Sequence, residues 1–325
     1  MEKKENFTQS VKNELSSYPY SKEQMKFILS GFLRNGATFS LGKNATLHLR
    51  TEIAKTAKLL FTALKECFNL APKLVYEQLT RFKKGIRYQV LVSSERLYQV
   101  MEELEALKDG IERLPLKEGL KKKNFPFLLI GLFLSSGSVN NPSTGKTSYF
   151  LEMAFNHRND ALAVRKKLLS YKEEKTMNFK LIQRREKYVL YLKRSDQISV
   201  FLSLVGATDA MFAFENARIL KETINITNRL SICDSANYGK TIETARKDIE
   251  GLKELLEVKS LELFDEKTRE VIRVRMEHQD FNYREIAEFL TKEGRKISKS
   301  GVVHIISSLR EEIAELRRRK GKEER

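Results

Sequence analysis

A unit of about 100 residues occurs twice in this chain, and that duplication constrains the fold more than any other feature. The first copy opens with Phe27-Ile28-Leu29-Ser30-Gly31-Phe32-Leu33-Arg34-Asn35-Gly36. The second opens with Phe127-Leu128-Leu129-Ile130-Gly131-Leu132-Phe133-Leu134-Ser135-Ser136-Gly137. The offset is 100 residues from Gly31 to Gly131 and 101 from Ser94 to Ser195. After the first opening, Ala45 to Thr51 alternates as a half-buried strand does, and Ser148 to Ala154 takes the same place in the second copy. Apolar residues at helical spacing follow: Ala57, Leu60, Phe61, Leu64 and Phe68, then Ala161, Val164, Leu168 and Leu169. Two more strands are expected in each copy, Lys73 to Arg81 with Arg87 to Val92, and Asn178 to Arg185 with Lys187 to Leu192. Ser94-Glu95 and Ser195-Asp196 read as helix starts, because a serine hydroxyl accepts from an orphan backbone N–H. Each lobe is therefore helix, strands, helix, strands, helix, and the two lobes are related by a pseudo-twofold axis.

Charge narrows the class of partner. Lys and Arg outnumber Asp and Glu by 60 to 43, a net charge of +17. Residues 1–140, 141–220 and 281–325 carry +9, +6 and +4, whereas 221–280 carry −2. Basic surfaces of this kind attract polyphosphates, since displaced counterions drive binding, and double-stranded DNA is the expected partner. Two cysteines, Cys67 and Cys233, cannot build a disulfide framework or a four-ligand zinc site. Met1 leads into charged residues rather than a signal peptide, and the longest apolar run, Phe125 to Leu134, is too short to span a bilayer. A reduced, cytoplasmic, nucleoid-associated protein with no membrane partner is expected.

The carboxyl-terminal segment reads as a small helical domain. Thr268 to Met276 and Arg284 to Leu290 suggest two helices, and Ser298 stands as the N-cap of a third. In that third helix Val302, Ile305, Ile306, Leu309, Ile313 and Leu316 form one apolar stripe. The opposite face carries Ser300, His304, Ser307, Ser308 and Glu311, flanked by Lys299 and Arg310. A helix divided in this way can pack on its neighbours and present its amino-terminal part to a major groove, the logic of a helix-turn-helix. The candidate base-reading residues are Ser298, Lys299, Ser300, His304, Ser307 and Arg310. The connection from Lys292 to Ile297 suits a loose variant of the motif.

Catalytic signals are weak. The histidines, His48, His157, His278 and His304, lack metal spacing. Gly145-Lys146-Thr147 and Gly239-Lys240-Thr241 lack the earlier glycine of a phosphate loop, holding Asn140 and Asp234 there. No cofactor, metal or small-molecule substrate is expected.

The doubled glycine helix, with strand-helix-strand-strand-helix after it, resembles the LAGLIDADG homing endonucleases. With the helical tail added, the chain resembles the WhiA family of bacterial regulators over about residues 6–318. Further matching residues are Phe7 with Val11-Lys12 and Glu14-Leu15, Arg229-Leu230, Cys233 to Asn237 with Lys240-Thr241, and Ser298 to Val302 with His304. The family's paired cysteines before the first glycine helix are absent from Ser16-Ser17-Tyr18-Pro19-Tyr20.

The resemblance implies an α+β fold: two duplicated LAGLIDADG-like α/β lobes, then an all-α helix-turn-helix domain. The implied division is an N-terminal arm or helix over 1–22, lobes over 23–125 and 126–222, a linker and connecting helix over 223–262, the helix-turn-helix over 263–320 and a disordered tail over 321–325.

In the nucleases the two helices pack through their glycines, here Gly31 and Gly131, and each delivers a carboxylate to divalent metal ions. The corresponding positions hold Asn35 and Ser136. The resemblance thus implies that the saddle is kept and the cleavage chemistry lost. The basic track it implies is Arg81, Lys83, Lys84 and Arg87 in one lobe with Lys180, Arg184, Arg185 and Lys187 in the other. The implied role is a non-catalytic DNA-binding regulator of transcription, tied to bacterial cell division and chromosome segregation and, in relatives, to sporulation. Other regulators or division proteins are further expected partners. A protein-binding scaffold and a residual metal-dependent endonuclease are the alternatives.

Overall fold

A computed structural model describes residues 6–42, 44–79, 85–140, 149–171 and 177–323. By contacts the chain divides into Met1–Glu222 and Thr223–Arg325. The first unit holds both copies. Helix α1 (Phe7–Leu15) begins at a capping box in which Asn6 and Gln9 satisfy each other's orphan N–H groups, and it buries Val11 and Leu15. Helix α2 (Lys22–Gly36) is capped in the same way by Ser21 and Gln24.

Copy one continues with β1 (Ala37–Ser40), β2 (Thr46–Thr51), α3 (Ala54–Phe68), β3 (Lys73–Leu79), β4 (Gly85–Ser93) and α4 (Leu97–Glu103). A short ladder of β5 (Leu107–Lys108) and β6 (Glu112–Arg113) leads to the second copy. That copy comprises α5 (Phe125–Ser136), β7 (Gly137–Val139), β8 (Leu151–Phe155), α6 (Arg158–Ser170), β9 (Lys180–Arg184), β10 (Lys187–Leu192) and α7 (Ser195–Leu204). The antiparallel sheets have equivalent orders, β1-β2-β4-β3 and β7-β8-β10-β9. The expected strands are present, and β1 and β7, too short to declare themselves by alternation, complete each sheet.

The two glycine helices lie in backbone contact. A Cβ on Gly31 would sit 2.3 Å from the Leu128 carbonyl oxygen, and one on Gly131 would sit 1.9 Å from that of Ile28. Both distances are far inside van der Waals contact, so only glycine allows this crossing. Helix α5 is apolar on every side because its own sheet takes one face and α2 the other. One core joins both copies, with Phe32, Leu129, Phe133, Leu151, Phe155 and Phe201 fully buried.

The reading of Ser94 and Ser195 as helix caps needs correction. The Ser94 hydroxyl accepts from the Arg96 amide, closing a turn ahead of α4. Ser195 is already helical, and Arg194 at the cap position pairs with Asp196 at 2.8 Å.

Helix α8 (Thr208–Val258) is continuous. The first part of the linker and connecting helix expected over 223–262, from Thr223 to Lys240, is therefore helical. The stretch contains no proline, and one interior glycine, Gly239, costs only about 1 kcal/mol against alanine, too little to break a helix that propagates from both sides.

In the second unit, α9 (Glu266–Glu277), α10 (Tyr283–Lys292) and α11 (Lys299–Glu323) surround a small core. Val271, Ile272, Ile286, Leu290, Val302 and Ile306 meet Leu252 and Leu255 of α8 there. Gly294, at φ +88°, ends α10 in the left-handed conformation that glycine adopts without strain, and the Arg295 amide donates back to the Leu290 carbonyl. Of the tail expected to be disordered over 321–325, the described residues 321–323 continue α11 as far as Glu323.

Candidate nucleic-acid interface

The ends of the two glycine helices are where the nuclease fold would place its carboxylates. Here the Asn35 amide donates to the Ser136 hydroxyl at 3.3 Å, and Ser136 in turn donates to the Leu132 carbonyl. Asn35 Oδ1 accepts from the Asn156 amide at 3.2 Å. The copies are one residue out of step at this point. Helix α2 includes its closing Gly36, whereas α5 stops at Ser136 and Gly137 opens β7. By backbone position Gly36 is thus the counterpart of Ser136, while Asn35 makes the side-chain contact. Neither register brings a carboxylate to the pair. Among the described residues there is no group of three or more His, Cys, Asp or Glu side chains able to hold a metal ion.

A charged cluster lies next to this point. The fully buried Arg34 guanidinium donates to Asp160 Oδ1 at 2.9 Å, to the Leu114 carbonyl and to the Glu105 carbonyl. Arg113 contacts the other carboxylate oxygen at 2.6 Å and also reaches the Arg34 carbonyl. Arg34 belongs to the first copy and Asp160 to the second, so this ion triad joins the lobes. Burial pulls the Arg34 pKa below its usual value against the opposing pull of Asp160. Burial, with the charges of Arg113 and Arg34, likewise lowers that of His157.

Strand register settles which basic residues share a face. In lobe one Leu47, Leu49, Val90 and Val92 point into the core, so their neighbours along the strands point out. Arg50, Lys73 and Arg87 share that open face with Glu77, which lies 3.9 Å from Arg87. In lobe two Leu151, Met153, Leu190 and Leu192 point inward, and Lys180, Arg184 and Lys187 share the open face with Glu152. Arg184 pairs with Glu152 at 3.2 Å. Among the described residues each open sheet face thus presents three Lys or Arg side chains against one Glu. Arg81, Lys83 and Lys84 lie outside the described residues. Arg185 belongs to the tight β9–β10 turn, at φ 54°, and not to the strand face. Arg50 and Lys73, with His48 beside them, lie on this open face and were not among the basic residues read from the sequence. The signal for His48 and Arg50 was their alternation with Leu47 and Leu49.

In the second unit the Ser298 hydroxyl accepts from the Gly301 amide, which fixes the start of α11. Ser298 also shares a 2.9 Å hydrogen bond with the Ser300 hydroxyl. Lys299, Ser300, His304 and Ser307 are exposed, opposite the buried Val302, Ile306 and Leu309. Arg310, grouped with them from the sequence, is committed elsewhere. Its guanidinium lies 2.6 Å from the buried carboxylate of Asp248 and donates to the Tyr283 hydroxyl. Tyr283 donates to the same carboxylate, and burial together with that bond pushes its pKa up to about 12. An acid 62 residues earlier in the chain is thus the partner of Arg310.

Among the described residues no helix is long and apolar enough to cross a membrane. Comparison with known proteins agrees with this architecture. Residues 22–107 match the WhiA N-terminal LAGLIDADG-like domain, 125–224 the WhiA LAGLIDADG-like domain and 227–314 the WhiA C-terminal HTH domain. The chain is 32% identical over 311 residues to a protein of Staphylococcus haemolyticus named "Probable cell division protein WhiA", covering 94% of this chain and 95% of the relative. A protein of the same name from Staphylococcus aureus is 32% identical over 309 residues, covering 93% and 95%. The crystal structure of full-length WhiA from Thermatoga maritima shares the fold, with a TM-score of 0.57 at 20% identity, covering 96% of this chain and 99% of that one. Two LAGLIDADG-like lobes followed by a helix-turn-helix domain, matched over almost its whole length, place the chain in the WhiA family.

Proposed function

We propose that this protein is a non-catalytic DNA-binding regulator. The observation that carries the reading is the matched surplus of cations on the two open sheet faces: Arg50, Lys73 and Arg87 against Glu77, and Lys180, Arg184 and Lys187 against Glu152. Equivalent placement in both lobes fits a duplex lying along a saddle, where phosphate contacts fix position and carry no sequence information. Arg81, Lys83 and Lys84 extend the proposed track in the sequence. Sequence choice then rests on the start of α11, where Lys299, Ser300, His304 and Ser307 are free to meet base edges, each good base contact being worth about 1–3 kcal/mol.

The helix ends support a loss of cleavage. Two divalent ions near a phosphodiester need charged oxygen ligands, and an amide and a hydroxyl hold them poorly. The biological setting is carried over from the printed names of the relatives, which point to cell division, and from family resemblance, which adds transcription and chromosome segregation. The protein would act at the nucleoid.

The test is direct. Full-length protein is titrated with duplex DNA at rising salt, and plasmid is incubated with the protein in Mg²⁺ or Mn²⁺. Binding that weakens steeply with salt and plasmid that stays intact are expected. Salt-indifferent binding would remove the track, and cleavage abolished by a chelator would restore the nuclease.

A further inference from the structure

One cavity in the first unit deepens the reading above, on which it rests, because two of its cations, Arg50 and Arg87, belong to the open sheet face. It has a volume of about 370 Å³ and lies between α1, the end of α5 and the open face of the first sheet. Its charged lining is Lys12, Arg50, Arg87 and Glu52, three cations against one carboxylate. The polar lining includes Gln9 and Ser135, the latter next to the Ser136 that meets Asn35. We propose that this cavity is a binding site for a phosphate group, held by Lys12, Arg50 and Arg87 beside the point where the two glycine helices end.

The geometry supports an anion and not a cation. Lys12 Nζ donates to the Leu134 carbonyl at 3.1 Å and sits 5.7 Å from the centre of the Phe133 ring, which leaves two of its three N–H donors for a ligand. Arg50 has no ion-pair partner among the described residues, and Arg87 has only Glu77 at 3.9 Å. Two guanidinium forks and an ammonium around one cavity match the oxygens of a phosphate, which arginine grips in bidentate fashion. The single acid, Glu52, lowers the net positive charge without cancelling it.

Lys12 also gives the site a pH dependence. Burial pulls its pKa down to about 8, against the opposing charge of Glu52. The groups facing it are Glu52 ahead of α3, Arg50 of β2, Arg87 of β4 and the Leu134 carbonyl of α5. The ammonium therefore loses its proton as the pH rises through about 8, and phosphate affinity falls about tenfold between pH 7 and pH 9.

The phosphate could come from a small free ligand or from a DNA backbone, and one set of measurements separates the two. Full-length wild type, Lys12→Met and Arg50→Gln are titrated calorimetrically with inorganic pyrophosphate, with adenosine 5′-monophosphate and with a random-sequence duplex. Arg50 is exposed, so its replacement leaves folding intact even if Lys12→Met does not. One-site binding of the small probes, weakened about tenfold by either substitution, assigns the cavity to a free phosphate ligand. If the small probes do not bind, a salt dependence of duplex binding that drops by about one phosphate contact in each variant assigns it to the backbone. Unchanged variants with every probe overturn the proposal and remove Arg50 from the sheet track, while salt-dependent duplex binding leaves the other track cations standing. Small-probe binding in a protein that ignores duplex DNA would do the reverse.

Discussion

The amide of Asn35 donates to the hydroxyl of Ser136 across 3.3 Å, joining the ends of the two glycine helices by a neutral contact. A nuclease needs like charges held close together here, and such charges repel unless cations neutralise them. The amide and hydroxyl impose no such requirement. The double substitution Asn35→Asp with Ser136→Asp should therefore lower the unfolding free energy in chelator by about 1–3 kcal/mol and recover part of that loss when Mg²⁺ is added. Urea melts with and without the ion check both halves.

The close crossing of α2 and α5 predicts the effect of a single methyl group. Gly131→Ala would force a Cβ to within 1.9 Å of the Ile28 carbonyl oxygen, so the helices must separate. A loss of about 3 kcal/mol is expected, as for overpacking elsewhere in protein cores. An unchanged denaturation midpoint would show that the helices are not in backbone contact.

Asp160 holds two arginines, and its carboxylate is buried. Asp160→Asn leaves the Arg34 guanidinium without its counter-charge and should cost about 3–5 kcal/mol. The companion change Arg113→Gln removes a partner that is partly exposed and should cost clearly less. Equal losses would mean that Arg34 finds another anion.

Lys12 supplies the pH prediction. Its folded-state pKa, pulled down to about 8 from 10.5, means that the unfolded chain holds the proton more tightly than the native one between those values. Stability linked to this group therefore rises with pH across that window, by about 1.4 kcal/mol per pH unit at most. Lys12→Met should be more stable than wild type at pH 7, and the difference should shrink above pH 8. Melts of both proteins at pH 7, 8, 9 and 10 test the sign.

Arg310 and Lys299 lie on one helix and should behave oppositely. Arg310→Ala strips a partner from the buried Asp248 and should cost about 2 kcal/mol of stability in the second unit, with sequence preference unchanged once the protein is folded. Lys299→Ala, on the exposed face, should leave the melt unchanged and narrow the gap between preferred and random duplexes. Neutralising Arg184 should weaken both duplexes alike.

How far the sequence revealed these features depended on how local each was. The glycine helices and the apolar stripe of α11 were legible because each rests on spacing within one element, and Ser298 because its cap lies three residues from its donor. The Arg34–Asp160–Arg113 triad was not, since it forms across 126 and 47 residues and no short-range pattern encodes it. The pairing of Arg310 with Asp248 was illegible for the same reason. The helical face of Arg310 allowed either solvent or Asp248, and only the packing of α8 decided. Strands β1 and β7 were missed because four and three residues are too few to display a period. After Thr223 no local signal fixed where the linker gives way to the connecting helix, and α8 runs through.

The ion triad also has a bearing on how this architecture can change. Arg34 was made in one copy of an ancestral repeat and Asp160 in the other, and each now depends on its counterpart. The repeat began as two alike halves, but its halves are no longer interchangeable. A lobe cut away on its own would carry an unanswered buried charge and an α5 apolar on every side. The two copies therefore fold and unfold as one.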